Sequence, residues 1–250
     1  MKKPSSVAEI LALLTTDPGR PRLTWYAGGG ERIELSGAVL ANWVSKTTNL
    51  LVEEFDGGPG VRIGLDLPAH WRTVVWALAA WRCGACVVIG PQAGEADVVV
   101  TDRPELFDGV EQLVAVALPG LARRFDGEMP AGTVDAAGAV MTYGDVIGWA
   151  PAVVGAAAAL GGPDVDVAHS HLVPWALGAT TAAHGSRVLV AAGAGREADV
   201  AAALREVLGS FATAGSVVLI DAATAAALAL DPARRARLVA SERVGQGTSA

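Results

Sequence analysis

Two cysteines stand as Cys83-Gly84-Ala85-Cys86, a spacing used by redox pairs and by half of a zinc site. A reactive thiol in such a pair sits at a helix N-terminus, where the helix dipole favours the thiolate. Here Cys83 falls at the end of a helical pattern, where the dipole opposes it. Zinc would need two more ligands, and His169 and His171 are the candidates. Packing is the plainer reading of both thiols. A second constellation is Gly193-x-Gly195-x-x-Ala198. It follows the apolar run at 188–190 and opens a helical pattern, and the next apolar run ends at Asp221. That is the order of a dinucleotide-binding fingerprint, in which glycines let the backbone approach a pyrophosphate. His169-Ser170-His171 and His184 offer imidazoles for base or metal work, with a polar turn as the plainer alternative. Ser170 lacks the flanking glycines of a nucleophile elbow.

The elements that must position these residues alternate between helix and strand. Val7, Ile10, Leu11 and Leu14 share one face, and Ser5 or Ser6 can cap that helix. Runs at 22–26 and 31–35 read as a hairpin around Gly28-Gly29-Gly30. Ser36 caps a helix to about Phe55. Strands follow at 61–67, 87–89, 97–101 and 112–118, with a helix over 71–81 that ends at Gly84 in a left-handed cap. The stretch 119–139 reads as a loop. Helices are expected over 143–160 and 174–183, a strand over 187–191, a helix over 197–208, a strand over 216–220 and a last helix from about Thr224. Trp71, Trp76 and Trp81 are five residues apart, which turns about 140° per step, so at least one is expected to face solvent or a partner. This alternation predicts an α/β fold, a mostly parallel sheet flanked by helices with an N-terminal hairpin. One domain is expected over 1–244, with halves at 1–118 and 140–244 joined by the loop 119–139, and a disordered tail at 245–250.

The run from Pro59 to Gly90 carries a resemblance. A buried strand ends in Leu67-Pro68, a helix follows, and Gly84-Ala85 leads into a second buried strand. This order closely resembles the early part of the acyl-adenylating superfamily, which holds acyl-CoA synthetases, luciferases and adenylation domains. The hairpin from Leu23-Thr24-Trp25 and the helix from Leu35-Ser36 to Leu51 extend the likeness, continuous to about residue 101. Gly138-Ala139-Val140-Met141-Thr142-Tyr143 is similar to the segment that closes the superfamily's phosphate loop. The loop itself would then be Ala131 to Ala137. The resemblance implies that Gly132, Thr133, Gly138 and Thr142 are what remains of a nucleotide grip, but the position of the loop's lysine is Ala137. Asp135 brings a negative charge where the ligand's own charge would sit. Two like charges ~4 Å apart repel by about 4 kcal/mol at an effective dielectric near 20, about three decades of affinity.

The later motifs of the superfamily have no counterpart, no lysine follows Lys46, and the chain stops at about half the usual length. A truncated, degenerate relative is therefore expected, without full acyl-adenylation, since that chemistry needs a cation on its developing charge. No bound cofactor is predicted. ATP, AMP or CoA held by Gly132, Thr133, Gly138 and Thr142, or a dinucleotide at Gly193 and Gly195, is the alternative. Of 250 residues, 52% are hydrophobic and 18% charged, with a net charge of -7. That balance excludes disorder, and the lack of a basic stripe argues against nucleic acid. The apolar run at 146–160 contains Pro151 and falls short of a ~20-residue membrane span. Pro4, Glu9 and Asp17 interrupt any signal-like segment, so a cytoplasmic protein is expected. The expected role is a protein-interaction or regulatory module, as a homodimer or with another partner. A small-molecule binder or enzyme using part of the ancestral cleft is the alternative.

Overall fold

The structure is a computed structural model that describes residues 3–196 and 198–245; the expected tail lies outside these residues from 246 onward. Helix α1 (Val7–Leu14) is capped by Ser6, whose side chain accepts from the Glu9 N–H. The hairpin forms from β1 (Pro21–Tyr26) and β2 (Arg32–Ser36). Ser36 then caps α2 (Gly37–Phe55) by accepting from the Val39 N–H. The run that carries the resemblance folds as β3 (Arg62–Asp66), α3 (Trp71–Cys83) and β4 (Cys86–Val88). Gly84 closes α3 at φ 85, the left-handed conformation that lacks a penalty only for glycine.

Strands β5 (Val98–Thr101) and β6 (Leu113–Ala115) come next, and the expected loop ends in a short β7 (Val134–Asp135) and one turn of helix, α4 (Ala136–Ala139). The helix expected over 143–160 does not form. Residues 143–157 run as irregular chain, and Ala158–Gly162 is a strand, β8, paired with β9 (Val165–Ala168). Helix α5 starts earlier than expected, at His169–Leu177. The chain then continues through β10 (Arg187–Ala191), α6 (Ala198–Ala212), β11 (Ser216–Ile220), α7 (Ala222–Leu230) and α8 (Pro232–Ser241).

Among the described residues the strands form two sheets. A seven-stranded sheet has the order β7-β6-β5-β3-β4-β8-β9, parallel except for the β8–β9 hairpin. A four-stranded sheet has the order β10-β11-β1-β2, in which β1 pairs in parallel with β11 and antiparallel with β2. The N-terminal hairpin is thus half of a second sheet completed by strands nearly two hundred residues later, with Leu23 opposite Val217.

Helix α3 packs on β3 and β4 to one side and on β1 to the other. That placement explains a correction. Trp71, Trp76 and Trp81 all lie in the core, at 2%, 3% and 2% exposure. A helix covered on every side needs apolar residues on every side, and of α3 only Arg82 escapes burial. Gly64 shows how tightly the seven-stranded sheet is covered. A Cβ there would lie 1.9 Å from the Ala93 carbonyl oxygen, so only glycine lets the turn Pro91–Glu95 seat on β3. The outer face of the four-stranded sheet is covered separately, by Leu228 and Leu238 over Val218 and Ile220.

Candidate functional site

The two sheets bring the carboxyl ends of their parallel strands to a common cleft of about 510 Å³. Its wall is made of residues that follow strand ends. Gly28 follows β1, Pro68 to His70 follow β3, Leu118 and Pro119 follow β6, Gly193 follows β10, and Asp221 to Ala223 follow β11. Ligand sites of open parallel sheets form in this position, because side chains and free N–H groups there are held by rigid strands yet not used by them.

His70 is the most constrained polar group of the cleft. It caps α3, its Nδ1 accepting from the Arg72 N–H at 3.1 Å. The ring meets the Trp25 ring edge-on at 4.5 Å between centroids and lies 5.7 Å from that of Trp71. Burial, reinforced by the Arg72 guanidinium, brings its pKa down to about 3, so the imidazole is neutral at ordinary pH. With Nδ1 accepting, the proton of the neutral ring is on Nε2.

Asp221 faces the same space. Its Oδ2 accepts from the Gly28 N–H at 2.7 Å and its Oδ1 from the Thr224 N–H at 2.7 Å, which caps α7. Burial opposes its charge, but the bonds from Gly28 and Thr224 hold its pKa below the usual carboxylate range. Glu31 also lines the cleft and accepts from the Gly120 N–H at 2.8 Å. Among the described residues the cleft is therefore apolar over most of its wall and carries carboxylates but no cationic side chain.

The rim is tied by charge. Arg196, in the loop after β10, donates to both oxygens of Asp102 at 2.7 and 3.1 Å and to the Asp66 carbonyl at 2.9 Å. Asp66 in turn accepts from Arg103 at 2.6 Å and from the Thr101 hydroxyl at 2.7 Å. These bonds join the four-stranded sheet to the ends of β3 and β5.

The residues singled out in the sequence fall in three places. Gly193 and Gly195 do lie between a strand and a helix, as the fingerprint requires, and Gly193 borders the cleft. Their close approach is taken up by the chain itself. The Asp199 carboxylate accepts from the Gly195 N–H at 2.7 Å, and a Cβ on Gly193 would lie 2.0 Å from the Asp199 carboxyl carbon.

Gly132, Thr133, Gly138 and Thr142 lie together in chain order around β7 and α4, away from the cleft wall. Gly132 is left-handed at φ 84, Thr133 donates to the Pro130 carbonyl and Thr142 to the Ala139 carbonyl. Asp135 accepts from the N–H groups of Phe125 and Ala137 at 2.9 Å each. Lys46 donates to the Tyr143 carbonyl at the end of the segment, and Arg72 meets Ala136 and Ala137 across a void of only about 10 Å³. Its guanidinium lies over Trp71 at 4.3 Å and donates to the Pro119 carbonyl. Burial lowers its pKa to about 10.

Cys83 and Cys86 are free and buried, and burial pushes the Cys83 thiol up to about 11. His169 does not sit in a polar turn: it opens α5, buried, with Nε2 at 3.1 Å from the Gly84 carbonyl. A second cavity of about 410 Å³ lies between the β8–β9 turn, α5 and α6. Its cation, Arg205, is committed to the Trp175 ring and carbonyl. His70 was not singled out in the sequence, and Asp221 was named only as the end of the dinucleotide-like pattern. The signal available for both was position, the first polar residue after a buried strand and before a helix.

No family model matches the chain. A TIGR03089 family protein of Mycobacterium tuberculosis (strain ATCC 25618 / H37Rv) is 38% identical over 143 residues, covering 54% of this chain and 58% of its own length. Among solved structures, the acyl-CoA synthetase of Brucella canis superposes with a TM-score of 0.62 at 20% identity, over 86% of this chain and 46% of that one. The fold resembles that of acyl-CoA synthetase N-terminal domains. The nonribosomal peptide synthetase FmoA3 gives a TM-score of 0.58 at 17% identity, over 88% of this chain and 23% of its own. The chain thus spans little more than half of the curated relative and less than half of either solved chain. Among the described residues no helix is long and apolar enough to cross a membrane.

Proposed function

We propose that this chain uses an acyl-CoA synthetase-like fold for binding rather than for acyl adenylation, with a small molecule held in the cleft between the sheets. The observation that carries the reading is the state of the loop that resembles the phosphate loop. Within it Asp135 takes up the Ala137 N–H, and Arg72 across from it is walled off by a void the size of a single water. A triphosphate needs inward N–H groups and an accessible cation, and Asp135 takes one of the former and repels the ligand's charge. The test is thermal unfolding with millimolar Mg–ATP, AMP, CoA, NAD and neutral aromatic amides. A ligand at 100 times its Kd adds about 2.7 kcal/mol. We expect the amides alone to raise Tm. A rise with Mg–ATP together with acyl-dependent pyrophosphate release would overturn the reading.

A protein-interaction or regulatory role, through a second copy of the chain or another partner, is favoured by one specific observation. Residues 143–157 are anchored by the Asn49 side chain, which donates to the Gly144 and Val146 carbonyls. Yet Trp149 is 70% exposed, and Val146, Val153 and Val154 are exposed beside it in sequence. Exposed tryptophan is enriched in interfaces. The check is solution molar mass against concentration, for the native chain and Trp149→Ser.

A further inference from the structure

We propose that the ligand of the cleft is an uncharged, largely apolar carboxamide, its carbonyl accepting from His70 Nε2–H and its N–H donating to Asp221. The inference rests on the reading of the cleft as a small-molecule site and names the chemical class it takes. The His70 ring is mostly buried, but it lines the cleft and its Nε2 has no hydrogen-bond partner among the described residues. The tautomer is fixed from the other side of the ring by the Arg72 N–H, so Nε2 is a donor and cannot serve as an acceptor. The ring cannot swing away, because Trp25 and Trp71 hold it and the α3 cap depends on it. Nε2 thus offers the cleft a donor of fixed position, and a ligand acceptor there takes the place of water.

The rest of the wall decides what carries that acceptor. Asp221 and Glu31 both border the cleft, and each carboxylate oxygen of Asp221 accepts only one N–H. A carboxylate ligand would meet like charge on two sides. Arg72, the cation that could offset it, does not line the cleft; it donates to the Pro119 carbonyl and lies over the Trp43 and Trp71 rings. A neutral carbonyl avoids the repulsion and still satisfies Nε2. Asp221 Oδ2, which accepts only the Gly28 N–H, then calls for a donor next to that carbonyl, which a primary or secondary amide supplies. Trp25, Leu118 and the alanines around them leave an apolar remainder, and about 510 Å³ is within the usual range for a small-molecule site.

The experiment titrates the full chain with benzamide, benzoate and benzylamine, following the His70 ring nitrogens and the Trp25 indole by NMR. We expect benzamide to shift both saturably and to bind at least tenfold more tightly than benzoate. His70→Asn keeps a good helix cap while removing the Nε2 donor. It should still fold, with a Tm lowered by the lost ring packing, and lose at least fivefold in benzamide affinity. Benzoate binding as tightly as benzamide, or an unchanged affinity in His70→Asn, overturns the assignment. If benzoate or benzylamine shifts the two residues and benzamide does not, the amide class fails while small-molecule binding stands. If none of the three moves either residue, the cleft reading fails as well, and the interaction role remains.

Discussion

Glu242, just after α8, accepts from Arg187 at 2.6 Å, from Arg32 at 3.0 Å and from the Tyr26 hydroxyl. Burial opposes its charge, but these donors win and hold its pKa at about 2 against an ordinary 4.5. The unfolded chain therefore binds a proton at Glu242 more readily than the folded one between those values. The stabilisation is fully present above about pH 4.5 and is lost as the pH falls towards 2. Replacing Glu242 by Gln leaves buried Arg187 without its counter-charge. Breaking such a pair costs about 3 kcal/mol, and we expect the urea midpoint at pH 7 to fall accordingly. The same substitution should flatten the acid limb of the stability curve. An unchanged midpoint and limb would show that the network contributes nothing. The thiols make a second residue-scale prediction. With Cys83 pushed up to about 11 by burial, neither cysteine should react with a thiol reagent at pH 8 until the chain is unfolded. Rapid labelling of the folded protein would contradict the packing described. At this scale the sequence was informative where one residue acts on its own neighbours. Ser6, Ser36 and Gly84 were legible as caps because capping is local. His70 was not, because its partner Trp25 comes from the hairpin, 45 residues earlier in the chain, and Asp221 from near its other end.

Elements were legible in proportion to how local their cause is. The helices α1, α2 and α3 and the strands β3 to β5 followed from periodicity and caps. Residues 143–160 did not, because an Ala- and Val-rich run satisfies a buried strand as well as a helix. What decides is that the end of the run finds an open edge: Leu160 pairs with Val87 and with Val167, giving β8 a neighbour on both sides. The prediction at this scale concerns β3, the centre of the seven-stranded sheet. Gly64 carries the turn Pro91–Glu95 on its face, with the Ala93 carbonyl where a methyl group would go. Gly64→Ala must push the turn off the sheet or bend the strand, and overpacking of this kind costs about 3 kcal/mol. Gly138→Ala serves as a control, since nothing lies within 4 Å of a Cβ built there. We expect thermal unfolding to separate the two variants by roughly 6–12 °C, from ~2–4 °C per kcal/mol in a domain of this size. Equal melting temperatures would mean that the turn yields without cost.

For the whole molecule, a mostly parallel sheet was foreseeable from alternating strands and helices, whereas the division into two sheets was not. Nothing near Leu23 indicates that its parallel neighbour is Val217, since long-range pairing leaves no local pattern. The cleft exists because of that division, so its position was hidden for the same reason. Helices α3 and α6 join the two sheets through the core. At the carboxyl edge the joint is Arg196, half-exposed, clamping Asp102 and the Asp66 carbonyl. A clamp at a cleft rim restrains opening more than it supports the fold, because the core beneath it is unaffected. Arg196→Ala should therefore cost only about 1 kcal/mol in global stability, as expected for a partly exposed ion pair. Its effect should appear instead in local opening, which hydrogen exchange measures separately from global unfolding. Exchange should quicken at residues 192–195 after β10, next to the clamp, and at residues 66–69 opposite them. Protection in α3, deep between the sheets, should be unchanged. The same variant should release benzamide faster than the native chain if the rim closes over an occupied cleft. A uniform loss of protection across both sheets would show that Arg196 supports the fold as a whole, and unaltered exchange at 192–195 would show that the rim is held by something other than this clamp.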